Sequence, residues 1–318
     1  MFLFLLQKNG RNRQLLLNTG RYLLLSISLL TSIPVYSGSE HDELIELHPS
    51  LKTLAAKSLP LSLAKTVNAK VPLFDSKIAI IIDDIGYNYA QGLEAIALPG
   101  AITYAIIPHS PKASFFAAEA RKHQKEIMLH APMSNVHNIP LGENGLSETM
   151  NEVHFKQALN SSLDSLPGVS GVNNHMGSLL TQKSLPMEWV MHALKQRQLY
   201  FIDSRTTSNS VAWSVAQNLH IPSLKRDIFL DNIPTAESID KQFKQLIALA
   251  KRRGYAVAIA HPYPETIRYL QQHLPILAQQ NINLVFVSAL VQLHSPNILS
   301  LKNTKSVKPL TKTRVNYD

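Results

Sequence analysis

From Lys77 onward the chain alternates short apolar runs, "IAIII", "ITYAII", "EIML", "GVSGV", "LYFI", "AVAIA" and "NLVFVSAL", with longer stretches of helical period. Nothing else in the sequence restricts the fold as strongly. A run such as "IAIII" is apolar throughout instead of alternating, which reads as a strand covered on both faces, and helical stretches between such runs make βα units around a parallel sheet or barrel. The helices carry end signals. "SLPMEWVMHALKQRQ" opens on Ser184 as N-cap with Pro186 in its first turn, and "SIDKQFKQLIALAKRRG" runs from Ser238 to a cationic last turn and Gly254 at C′. In the second, Ile239, Phe243, Leu246, Ile247 and Ala250 share one face, so that helix lies on a sheet. A length of 318 residues with 45% apolar content suits one α/β domain of roughly 200–250 residues with appendages.

The appendages are expected at both ends. In residues 1–37, Lys8, Arg11, Arg13 and Arg21 precede the apolar run "YLLLSISLLTSIPV", and "VYS" supplies small residues for cleavage, the pattern of an export signal peptide. An uncleaved membrane anchor is the alternative, disfavoured because this run is shorter than the roughly 20 residues a span needs. Residues 38–75 mix prolines, serines and short apolar patches and read as a linker; 76–295 form the folded domain; 296–318 read as a basic disordered tail. An exported chain with no cysteine is expected in a periplasm of the Gram-negative kind, in contact with the membrane only through its signal. The absence of cysteine also excludes a disulfide framework, a zinc–thiolate site and a thiol nucleophile.

The net charge of +9 does not indicate nucleic acid: four of these charges lie in residues 1–37, a net four in 296–318, and the body carries +1. No G-x-S-x-G, G-x-x-x-x-G-K-[ST] or G-x-G-x-x-G motif is present, so no serine-hydrolase elbow, phosphate loop or dinucleotide cofactor is expected.

In βα architectures the chemistry gathers where strands emerge at their carboxyl ends. There the sequence places Asp83 and Asp84 after the first strand, His109 after the second, His130 after the third, Asn173, Asn174 and His175 after the fourth, Asp203 after the fifth and His261 after "AVAIA". Each alone is weak, since histidines and aspartates at such junctions are often loop or capping residues. Together they offer oxygen and nitrogen donors suited to Zn²⁺ or another divalent transition metal, with carboxylates left over for proton transfer. One carboxylate would bind the cation, a second would take the proton of attacking water, and a histidine opposite would protonate the leaving group, which is metal-assisted hydrolysis of an amide or ester.

The motifs "DDIG", "HAPM", "NNHMGS", "DSRT" and "AHP", in this order, resemble the polysaccharide deacetylase (NodB-like) superfamily and, more closely, its divergent polysaccharide deacetylase branch, an exported bacterial group. The resemblance spans roughly Ser76 to Leu293. It implies a distorted (β/α) barrel of about seven strands, with Asp83 as base, Asp84 as metal ligand and His261 as acid. The family's metal motif has two histidines four residues apart, and here Ser134 stands four residues after His130. The resemblance therefore implies a ligand set of Asp84, His130 and His175. Asp203 is left with two options, contact with the metal or with a catalytic side chain, and Asn173 and Asn174 are substrate-facing amides or, as the favoured reading, turn residues. The implied function is metal-dependent deacetylation of an acetylated cell-envelope polysaccharide. An inactive glycan- or peptidoglycan-binding module of the same fold, or an envelope scaffold whose partners dock through the linker or basic tail, is the alternative; the identity of any protein partner is left open.

Overall fold

The structure is a computed structural model that describes residues 76–294. The expected export signal, linker and basic tail lie outside the described residues. In chain order the elements are β1 (Ser76–Ile85), α1 (Tyr89–Ile96), β2 (Thr103–Ile106), α2 (Ala113–Lys122), β3 (Glu126–Met133), α3 (Glu152–Ser165), β4 (Gly171–Met176), α4 (Ser184–Arg197) and β5 (Tyr200–Asp203). They continue with α5 (Ala212–Asn218), β6 (Ser223–Lys225), β7 (Ile228–Phe229), α6 (Ala236–Arg253), β8 (Tyr255–Ala260), α7 (Pro264–His273), β9 (Ile282–Leu284) and α8 (Val287–His294).

All strand pairings are parallel, in the order β6-β5-β4-β3-β2-β1-β8-β7, with β9 beside the start of β1. The two ends of this path are one stretch of chain. β6 pairs with β5, β7 pairs with β8, and between them the Arg226 N–H bonds to the Asp203 carbonyl while the Asp227 N–H bonds to the Val257 carbonyl, each at 2.9 Å. The sheet thus curls back on itself as a distorted barrel in which β6 and β7 together take one strand's place, giving the (β/α) barrel of about seven strands that the family resemblance implies.

Why residues 78–82 of β1 are apolar throughout follows from the two faces of the strand. Ile78, Ile80 and Ile82 pack outward with the helices, whereas Ala79 and Ile81 point inward with Ala105, Met128, Ile202, Leu224, Val257 and Ile259. Both sets are buried, so none of these five positions tolerates a polar residue. Each such isoleucine contributes on the order of 1.5–3 kcal/mol by leaving water.

Helix α6 buries the expected face, Ile239, Phe243, Leu246, Ile247 and Ala250, and ends on Gly254 at φ 91°. It starts earlier than expected: Thr235 is the N-cap, its hydroxyl accepting from the Ser238 N–H. In α4 the cap is Lys183, and Ser184 lies inside the helix. Two strand expectations are corrected. "GVSGV" begins its strand only at Gly171, and that strand runs on through Asn173, Asn174 and His175 because β3 offers partners as far as Met133. "NLVFVSAL" is strand only as far as Leu284, after which Val287, Leu290 and Val291 form the buried face of α8. Spacing of i, i+3 and i+4 fits that helix, and the apolar run concealed it.

At the bottom of the barrel Glu126 receives hydrogen bonds from the Thr103 and Tyr200 hydroxyls and from the Ser288 N–H at the start of α8. Tyr200 fills the space above Gly171, where an added Cβ would meet its ring atoms at 2.3–2.6 Å. Gly171→Ala should therefore destabilise the fold by about 1–3 kcal/mol, read as a lower midpoint of denaturant unfolding, because the Glu126 bond keeps the ring from moving away.

Candidate metal centre and active site

The strand period of two selects the site residues. Asp83 follows the inward Ile81 by two positions, His130 follows Met128, Asn173 and His175 follow Gly171, and His261 follows Ile259. Each therefore points into the barrel mouth, directly above the apolar interior. Asp84, next to Asp83, ought to face outward. Its φ of 59° and the register shift of β1 against β2 between Ile82 and Ile85 turn it over the rim instead, so two adjacent carboxylates reach one site. Left-handed backbone recurs at this rim in His109, Met176 and Arg205, as expected where strain serves a site.

Three donor atoms converge. Asp84 Oδ1 lies 3.1 Å from His130 Nε2 and 2.8 Å from His175 Nδ1, and the two ring nitrogens are 3.1 Å apart. Ligands about 2.0–2.2 Å from one Zn²⁺ at angles between 90° and the tetrahedral value stand roughly 3.0–3.5 Å from one another, so this triangle is close to the size a cation needs. Asp84, His130 and His175 form a group able to hold a metal ion. His130 is 2% exposed, but Asp84 is 36% and His175 20% exposed, so one side of the triangle is open to an incoming molecule. Three protein ligands with an open side characterise catalytic sites, whereas structural sites are closed.

The electrostatics agree with this chemistry. Burial disfavours charge on Asp84, yet hydrogen bonds from His130 and His175 outweigh it and hold the carboxyl far below its usual range. Burial likewise opposes charge on His130, but Asp83 and Asp84 raise its affinity for a proton; a cation satisfies the same attraction. Burial pushes the Asp83 carboxyl up, against the pull of His130, His261 and the Asn173 amide.

Asp83 and His261 flank the triangle, with Asp83 Oδ2 3.6 Å from His130 Nε2 and His261 Nε2 3.8 Å from Asp84 Oδ2. His261 is held by Asp231: ring Nδ1 is 3.0 Å from Oδ1, and the His261 N–H and Thr266 hydroxyl both donate to Oδ2. Phe229 stacks on the imidazole with centroids 5.2 Å apart. Burial works against its charge, but the Asp231 hydrogen bond and the carboxylates of Asp231, Asp83 and Asp84 prevail, pushing His261 up to about 9.

The remaining expectations separate. Ser134 stays out of the site, its hydroxyl donating to Glu148. His109 turns away, its ring meeting Asn144 and Ser162. The Asp203 carboxylate accepts from the Arg205 and Trp213 N–H groups and the Ser210 hydroxyl, which fixes the loop after β5, and these partners are neither metal ligands nor Asp83 or His261. Asn173 and Asn174 are strand residues, not turn residues, and both are buried, which leaves neither facing a substrate. Asn174 ties the ends of β4 and β5 by accepting from the Ser204 N–H. Sequence reading missed Asp231 and Arg226, which stacks on Phe229 with its guanidinium carbon 4.6 Å from the ring centroid. Their signal was faint: "LKRDIFLD" holds two strands of three and two residues, too short for any period to stand out.

The chain is 36% identical over 249 residues to the uncharacterized protein YibQ of Escherichia coli K12, an overlap of 78% of this chain and 77% of that one. It is 38% identical over 199 residues to an uncharacterized protein of Haemophilus influenzae, covering 63% and 71% of the two chains. Its fold is similar to the crystal structure of an uncharacterized protein from Agrobacterium tumefaciens C58, with a TM-score of 0.65 and 24% identity over 68% of this chain and 89% of that one. A family profile matches residues 80–291, a span that holds Asp83, Asp84, His130, His175 and His261, and by that match the chain belongs to the divergent polysaccharide deacetylase family.

Proposed function

We propose that this protein is an exported, periplasmic, metal-dependent hydrolase that removes acetyl groups from a cell-envelope polysaccharide. The observation that carries the reading is the open triangle of Asp84, His130 and His175 with Asp83 on one flank and His261 on another. The nitrogen-rich donor set without thiolate favours Zn²⁺, and a divalent cation bound there would supply positive charge to polarise the acetyl carbonyl and acidify water.

The chain's own groups divide the remaining work. Asp83, whose proton affinity burial raises, accepts the proton of the attacking water. As the acetyl carbon takes up the water oxygen, the bond to the sugar nitrogen or oxygen breaks. His261, kept protonated by Asp231, donates to that leaving atom, so acetate and the free amine or hydroxyl depart. The alternative of a glycan-binding module without turnover rested on Ser134 in place of a second histidine, and a third ligand atom arriving from β4 instead supports the hydrolase reading.

Acetate release from N- and O-acetylated oligosaccharides and from peptidoglycan tests this directly. Activity lost on chelation and restored by Zn²⁺ is the expected result. Glycan binding that survives chelation, with no acetate released from any substrate, would establish the binding module. A reporter fused after Asp318 should appear in the periplasmic fraction, and recovery with membranes would indicate an anchor instead.

A further inference from the structure

We infer that Asn173 is a positioning residue that fixes the tautomer of His130 and the aim of Asp83 through one amide. Its carbonyl Oδ1 lies 2.7 Å from His130 Nδ1, and its Nδ2 donates to Asp83 Oδ1 at 2.8 Å. Asn173 is fully buried and is the register partner of His130 in the β3–β4 pair, while Asp83 stands on β1, two strands beyond β3. The amide therefore spans the barrel mouth and joins three strands beneath the metal triangle.

The direction of each bond follows from what the groups can do. An ionised carboxylate only accepts, so the amide must present its NH₂ to Asp83. That leaves the amide oxygen facing His130 Nδ1, which must then carry a proton. The neutral imidazole has one proton to place, so its lone pair stays at Nε2, the atom that faces Asp84 and His175. The amide orientation is thus set by connectivity: Asp83 orients Asn173, and Asn173 orients His130. His130 and Asn173 are both buried, so a variant that removes either bond leaves a polar group without its partner.

The inference rests on the reading that the triangle holds a divalent cation. Its test uses the full chain, with Zn²⁺ affinity by calorimetric titration and the His130 tautomer in Zn²⁺-loaded protein from long-range ¹H–¹⁵N NMR. Asn173→Leu keeps the volume but removes both bonds. It should bind Zn²⁺ about 10- to 100-fold more weakly, with the Nδ1–H signature of His130 lost or mixed. Asn173→Asp, made in an Asp83→Asn background so that an amide and not a second carboxylate faces it, keeps an acceptor for Nδ1–H and should restore the tautomer, with Zn²⁺ affinity within about threefold of Asp83→Asn alone. If Asn173→Leu does not fold, Asn173→Ala against that double variant makes the same comparison. Zn²⁺ affinity and tautomer unchanged in the Leu or Ala variant overturn the inference, and so does equal loss in the double variant. A wild-type chain that binds neither Zn²⁺, Co²⁺ nor Mn²⁺ overturns the metal-centre reading itself, and the role of Asn173 falls with it.

Discussion

Asp84→Asn should bind Zn²⁺ more than about a hundredfold more weakly than the wild-type chain and release no acetate, while still folding cooperatively. Loss of an outer hydrogen-bond partner weakens a metal site about 10- to 100-fold, and Asp84 is itself a ligand and the sole carboxylate of the proposed set, so its loss should exceed that range. Asparagine is the informative replacement. The residue sits at φ 59°, which asparagine tolerates and alanine does not, so the fold survives and the change is confined to charge and ligation. A chain whose Zn²⁺ affinity is unchanged by Asp84→Asn would not hold its metal at this triangle.

The second large effect separates chemistry from metal binding. Asp83→Asn should lower turnover by about 10²- to 10⁴-fold, the usual contribution of a positioned acid or base, with Zn²⁺ affinity reduced by no more than about tenfold. Asp83 stands 3.6 Å from His130 Nε2 and is bound to the Asn173 amide, so it borders the triangle without belonging to it. Calorimetry and acetate release on the same sample decide the matter. Parallel losses in both would make Asp83 a ligand, and unchanged turnover would remove it from the proton path.

Both predictions concern neighbours in sequence that do different work. The reason is local. In an ordinary strand Asp83 and Asp84 would face opposite sides of the sheet. The left-handed turn at Asp84 bends the chain over the rim, which leaves Asp83 deep in the mouth, 4% exposed, and Asp84 at its edge.

Much of this was legible in the sequence. Continuous apolar runs separated by helical stretches determined a parallel βα arrangement, because a strand covered on both faces admits no polar residue before its end. Position at the carboxyl end of a strand placed Asp83, His130, His175 and His261 at one rim; Asp83, His130 and His261 stand two positions beyond an inward apolar residue, and His175 stands four beyond Gly171. The spacing could not say which of these side chains meet. Convergence depends on β1, β3, β4 and β8 being brought around one axis, and on a composite β6–β7 strand too short to carry a period. Only the tertiary structure decided that His175 stands where its ring reaches His130, that His109 turns to Asn144, that Asp203 serves its own loop, and that Asp231 holds His261. Hydrogen bonds act over about 3 Å, a distance fixed by strand register and curvature, whereas the sequence records only the order and period of the residues that make them.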